Sequence, residues 1–101
     1  MEHVAQELRK ESGIRSVSCA YLSWASPSVP EAIQALVKKG AKEIHLVPYF
    51  LLLGRHIKED IPRIKKEARL AHHGRVKIKV CRYLGYDRRI VSLVKQRLRE
   101  R

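Results

Sequence analysis

The run Ile44-His45-Leu46-Val47-Pro48-Tyr49-Phe50-Leu51-Leu52-Leu53 restricts this chain more than any other feature. It is far shorter than the roughly 20 apolar residues needed to cross a bilayer. It is also too continuously apolar for a strand with one wet face. A strand apolar on both faces marks a parallel sheet covered by helices. Parallel neighbours need long crossover connections, usually helical, so helices are expected on either side of the run. Pro48 cannot donate to a ladder, so regular pairing is expected to weaken there.

The flanking sequence supplies those helices. Residues 3–11 place Val4, Ala5 and Leu8 on one face, a short amphipathic helix that Gly13 ends. Ser16 to Leu22 is β-like, and Ser23-Trp24-Ala25-Ser26-Pro27 is a loop. Ser28-Val29-Pro30-Glu31 fits a capping box. The helix it opens runs to Lys39, with Val29, Ile33, Leu36 and Val37 as its stripe and Gly40 as its terminator. After the apolar run, Gly54-Arg55-His56 reads as a loop. A helix follows from about Ile57 to His72, and Pro62 is tolerated because it lies near the start. Val76 to Val80 alternates, as a half-exposed edge strand does. Gly85 breaks the chain, and Ile90, Val91, Val94 and Leu98 mark a last helix. Alternation of this kind predicts an α/β fold, a parallel sheet with helices on both faces, as a single domain over residues 1–101. Ligands of such sheets bind beyond the carboxyl ends of the strands. The segments Ser23–Ser28, Leu51–Asp60 and Arg82–Asp87 should therefore form one rim.

Composition narrows the function. Apolar residues are 45% and charged residues 32%, an ordinary globular balance. The polar, helix-patterned N-terminus is no signal peptide. Cys19 and Cys81 then read as reduced core residues of a cytoplasmic protein. The formal net charge is +12 and lopsided. Residues 1–53 carry six Lys/Arg against five Asp/Glu, and residues 54–101 carry sixteen against five. A polyanionic partner is expected for the second half: nucleic acid, acidic lipid or a polycarboxylate. Aromatic residues are only 6%, and no nucleic-acid recognition motif is present, which disfavours a basic nucleic-acid-binding module.

His56 is the foremost chemical candidate. It follows Gly54 just past the carboxyl end of the apolar strand. Imidazole ligates cobalt, nickel, iron and zinc and is a base near neutral pH. Asp60, four residues on, shares a helical face with it and could orient the ring. The alternative is a surface histidine beside a capping aspartate. His45 reads as a satisfied core residue, His72 and His73 as helix C-terminal charges, and His3 as exposed. No His or Cys pair has zinc-site spacing, and there is no phosphate-binding glycine loop or nucleophile elbow.

Four segments, in order, carry a family resemblance. Val47-Pro48-Tyr49-Phe50-Leu51-Leu52-Leu53-Gly54-Arg55-His56-Ile57-Lys58-Glu59-Asp60-Ile61-Pro62 is similar to the signature of the small class II tetrapyrrole chelatases, the CbiX-like sirohydrochlorin cobalto-, ferro- and nickel-chelatases. Trp24-Ala25-Ser26-Pro27-Ser28-Val29-Pro30-Glu31-Ala32, Lys39-Gly40-Ala41-Lys42 and Leu84-Gly85-Tyr86-Asp87 resemble three further segments of that family. The resemblance implies insertion of Co²⁺, Fe²⁺ or Ni²⁺ into sirohydrochlorin, without ATP or an organic cofactor, by a homodimer with no membrane or nucleic-acid role. It implies His56 as catalytic residue and metal ligand. It also implies that Leu51, Leu52, Leu53, Gly54 and Arg55 line the macrocycle pocket. Ser26 stands where many members carry Glu, and Arg55 and Arg82 suit the substrate's eight carboxyl groups. The family's opening strand, ending Gly-His-Gly-Ser, has no counterpart in these residues. A chain truncated in this way is expected to insert metal slowly, or to persist as a non-catalytic tetrapyrrole- or metal-binding remnant.

Overall fold

The computed structural model describes every residue except Ser12, Arg15, Ser23 and Arg101. Ser23, the first residue of the expected loop, therefore lies outside the described residues. Four helices and two strands follow in the order α1 (Glu2–Glu11), α2 (Val29–Lys38), β1 (Glu43–Leu46), α3 (Arg55–Ala71), β2 (Lys77–Val80) and α4 (Arg88–Glu100).

Local chemistry sets the ends of α2. The Ser28 hydroxyl accepts from the Glu31 N–H at 3.2 Å, and the Glu31 carboxylate accepts from the Ser28 N–H at 2.8 Å. That reciprocal pair is the expected capping box. The Ser28 N–H beside Glu31 holds its carboxyl below the usual carboxylate range. At the other end Gly40 takes φ +99°, a backbone that only glycine adopts without cost. Its N–H donates to Val37 O and that of Ala41 to Leu36 O, which satisfies two of the last carbonyls of the helix.

The strands pair in parallel, Ile44 opposite Ile78 and Leu46 opposite Val80. Ile44 and Ile78 are buried, and with Ile33, Ala68 and Val76 they form the core. Lys77 and Lys79 point to water, so the alternation of the second strand is as its sequence indicates. After Leu46 the ladder loses its regularity, as Pro48 requires. The connection continues through Leu84 N–H to Pro48 O at 3.2 Å and Gly85 N–H to Phe50 O at 3.0 Å.

Three expectations need correction. The apolar run is not buried on both faces: beyond Leu46, Val47, Tyr49, Leu51 and Leu52 are all exposed. His45 is no core residue. Its side chain is half exposed, and its Nε2 lies 3.2 Å from the Glu43 carboxylate. Residues 16–22 form no ladder among the described residues. They are held by one bridge, Tyr21 with Ser28, and by Arg9, whose guanidinium donates twice to Val17 O. A β-like sequence becomes a strand only where a neighbour takes its backbone hydrogen bonds, and among the described residues only the Tyr21–Ser28 bridge does so. Both cysteines are free, and desolvation by burial, then the bond to Glu2, raises the Cys19 thiol above its ordinary range. No described helix is long and apolar enough to cross a membrane.

Candidate functional site

The carboxyl ends of β1 and β2 open onto the rim that the topology predicts. Residues 47–54 leave β1 there, and residues 81–87 leave β2. The hydrogen bonds from Leu84 and Gly85 to Pro48 and Phe50 tie the two segments side by side.

His56 stands on the first of them, but not in a loop. Gly54 is the N-cap of α3, and Arg55 and His56 already belong to its first turn. The helix begins two residues early because Gly54 takes φ −71° and ψ 164°, an ordinary cap geometry. Gly54 therefore does not use its left-handed freedom, and a Cβ added there meets nothing within 4 Å. The His56 imidazole is exposed, and among the described residues its ring nitrogens have no hydrogen-bond partner. Asp60, one turn on, gives its carboxylate to Arg63 at 3.2 Å rather than to His56. Arg55 and Arg82 are exposed and form no salt bridge among the described residues, although Arg82 lies near enough to Asp87 to help hold its carboxyl ionised. Ser26 is exposed in the segment before α2. Among the described residues no three His, Cys, Asp or Glu side chains gather so as to hold a metal ion.

The residues that lead into His56, and the other segments that the sequence assigns to the rim, carry exposed apolar side chains. Leu51 is 55% exposed and Leu52 85%, while Leu53 is half buried. From the neighbouring segment Tyr86 is 73% exposed. Trp24, in the 21–28 segment, is wholly exposed with φ +66°. A bulky residue at positive φ is a strained outlier, and such outliers cluster at functional sites. Sequence patterning did not single out Trp24 or Tyr86 as site residues. The usable signal was that the loops expected on the rim carry large aromatic residues with no place in any apolar stripe.

Comparison with known proteins bears directly on this arrangement. The CbiX family model matches residues 1–101, the whole chain. The chain belongs to the CbiX family. A sirohydrochlorin cobaltochelatase of Sulfolobus acidocaldarius is 32% identical over 93 residues, spanning 92% of this chain and 71% of that protein. A protein of the same name from Saccharolobus solfataricus is 32% identical over 89 residues, 70% of its length. The crystal structure of a CbiX protein from Marinobacter aquaeolei VT8 superposes with a TM-score of 0.77 over 98% of this chain and 79% of that one, at 24% identity. The α/β chelatase-like fold is thereby confirmed, with two paired strands where three were expected.

Two details stiffen the CbiX rim on the β2 side. The Asp87 carboxylate accepts from the Arg89 backbone N–H at 2.9 Å and from its guanidinium at 2.7 and 2.8 Å. The Arg89 guanidinium and N–H hold the Asp87 carboxyl far below the usual carboxylate range, and the contact caps α4. Gly85 is buried at φ +57°, and a Cβ added there meets the Tyr83 ring at 3.0 Å. Gly85→Ala should therefore cost about 1–2 kcal/mol from the left-handed backbone alone. Gly54→Ala, where φ is negative and a Cβ has room, should cost less, below about 1 kcal/mol, the N-cap preference for Gly over Ala being offset by the stiffer unfolded chain. Denaturant midpoints of the two variants measure the difference, and equal midpoints would contradict it.

Proposed function

We propose that this chain inserts a divalent metal into sirohydrochlorin, with Co²⁺ as the foremost metal. The observation that carries the reading is an exposed, unpartnered imidazole, His56, in the first turn of α3, just after the exposed Leu51 and Leu52 beyond the carboxyl end of β1 in a CbiX fold. The names of the relatives, sirohydrochlorin cobaltochelatase, support both the substrate and the metal. Iron and nickel are imidazole-binding metals of the same series and belong to the same reading.

In this proposal the macrocycle lies on Leu51, Leu52 and the half-buried Leu53, which remove its flat faces from water. Its carboxylates meet the guanidiniums of Arg55 and Arg82, whose forks suit bidentate contacts. Ser26 and the exposed Trp24 border the same substrate. His56 ligates M²⁺ and carries it to the ring centre. The four pyrrole nitrogens then replace both solvent and the imidazole around the metal, and two pyrrole protons leave, one to the imidazole nitrogen that the metal has vacated and one to water. No three-residue metal cluster is needed, because the product itself supplies four nitrogen ligands. The protein's contribution is positioning. Asp60 stands within one turn of His56, where a rotamer change away from Arg63 would let it orient the ring. The two free cysteines support a reducing compartment such as the cytoplasm. Exposed apolar positions on α4, Leu93, Val94 and Leu98, support association of two copies, and residues 1–101 act as one domain.

The deciding experiment follows the absorbance of sirohydrochlorin after addition of Co²⁺, with and without the purified chain. A protein-dependent rate that saturates with tetrapyrrole is expected, and Co²⁺ should react faster than Ni²⁺. A rate equal to the spontaneous one, with no binding of sirohydrochlorin, would overturn the assignment.

A further inference from the structure

One cluster of positive charge lies at the end of α3 opposite His56. With 17 residues, α3 is about 25 Å long, and His56 sits in its first turn. At its far end a groove of about 440 Å³ is lined by Lys42, Lys65, Arg69, Gly74, Arg75 and Lys77. A second groove of about 500 Å³ shares Lys65, Arg69 and Gly74 and adds Lys66 and His73. No carboxylate lines either one. Lys77 is engaged by Glu43 at 3.5 Å. Lys42, Lys65, Arg69 and Arg75 have no acidic partner among the described residues.

The topology makes this cluster. Lys42 immediately precedes β1, and Arg75 lies just before β2. Because the strands are parallel and paired from Glu43 with Lys77, their amino ends are neighbours. Lys65 and Arg69, four residues apart, share a face of α3. The chain then reverses through His73 at φ +54° and Gly74 at φ +69°. The turn is fixed by His73 N–H to Leu70 O and Gly74 N–H to Arg69 O. Cations of one sign held this close repel one another unless an anion lies between them. The proposed chemistry at His56 does not use them.

We propose that this groove binds a short chain of linked phosphates, as in inorganic tripolyphosphate or the tail of a nucleoside triphosphate. A small groove with five cations calls for several negative charges in a short span. Phosphate oxygens match the guanidinium forks of Arg69 and Arg75, and lysines serve as point charges beside them. No Phe, Tyr or Trp lines either groove, which separates them from the aromatic platforms on which single-stranded nucleic acids stack. The flat apolar surface that a tetrapyrrole needs lies at the other end of α3.

Calorimetric titration of the intact chain with tripolyphosphate, at about 0.15 M salt where long-range attraction is screened, tests the assignment. One site per chain is expected. The double variant Arg69→Ala/Arg75→Ala should bind about tenfold more weakly or worse. Lys95→Ala/Arg99→Ala, which removes the same charge from exposed α4, should bind as the unaltered chain does. Equal weakening in both variants would reduce the effect to net charge and overturn the site. So would an absence of saturable binding, or tighter binding of an oligonucleotide than of tripolyphosphate. The readout is independent of metal insertion, so a failed chelatase assay leaves this result unaffected.

Discussion

His56→Ala should abolish metal insertion while the protein remains folded. The imidazole is exposed, makes no hydrogen bond among the described residues, and follows a cap whose geometry comes from the backbone of Gly54. Surface substitutions of that kind change stability by less than about 1 kcal/mol. The rate, in contrast, depends on a ligand that brings the metal to the ring. Loss even of a group that only supports a metal ligand costs roughly 10–100-fold, and loss of the ligand itself should cost at least that. Sirohydrochlorin should still bind, because the rim supplies its apolar platform. The measurements are the initial rate with Co²⁺, the dissociation constant for metal-free sirohydrochlorin and the thermal midpoint. An unchanged rate would show that another group carries the metal. His45 would be the next to test, since it is half exposed on the strand that leads to this rim.

How far this arrangement was legible depended on the range of the interactions involved. The ends of α2 were readable because a capping box and a terminal glycine act within a few residues: Ser28, Glu31 and Gly40 settle them alone. The alternation of Lys77, Ile78, Lys79 and Val80 was readable for the same reason, since its period is set by the backbone. The segment 16–22 was misread because its β-like composition says nothing about whether a partner strand lies beside it. His45 was misread because a strand of four residues, paired on one side, leaves that side chain to water and to Glu43. For the site, Pro48 and Gly54 marked where the strand gives way to a rim and put His56 just beyond it, though as a loop residue rather than in the first turn of α3. The start of α3 at Arg55 was missed because Gly54 caps without a side chain. The exposure of Leu51 and Leu52 was not legible in the apolar run itself, which reads as core; only their place after the strand and the family resemblance pointed to it. That conflict between apolar character and exposure is what a functional surface produces.

The second large effect is expected far from the rim. Ile33→Ala should cost about 2–4 kcal/mol, the loss of buried methyl groups plus the cavity they leave. Ile33 is the most deeply buried side chain among the described residues, at 1% exposure. It packs in a cluster with Ile44, Ala68, Val76 and Ile78, which joins α2 and α3 to both strands. Three of the buried apolar residues, Ala5, Ala32 and Ala68, are small, so few large side chains share the load. A domain's whole stability is about 5–15 kcal/mol, with small cores toward the low end. The variant should therefore show a denaturant midpoint well below that of the unaltered chain, or no cooperative transition at all. Leu98→Ala gives the contrast: Leu98 is 60% exposed on α4, so its loss should shift stability by less than about 0.5 kcal/mol in the isolated monomer. If Leu98→Ala proved as damaging as Ile33→Ala at high protein concentration but not on dilution, the apolar face of α4 would be buried between two copies. If the two were equally damaging at every concentration, the core would extend to α4 within one chain. The separation of stability between the α2–β1–β2–α3 cluster and the exposed α4 would then be wrong.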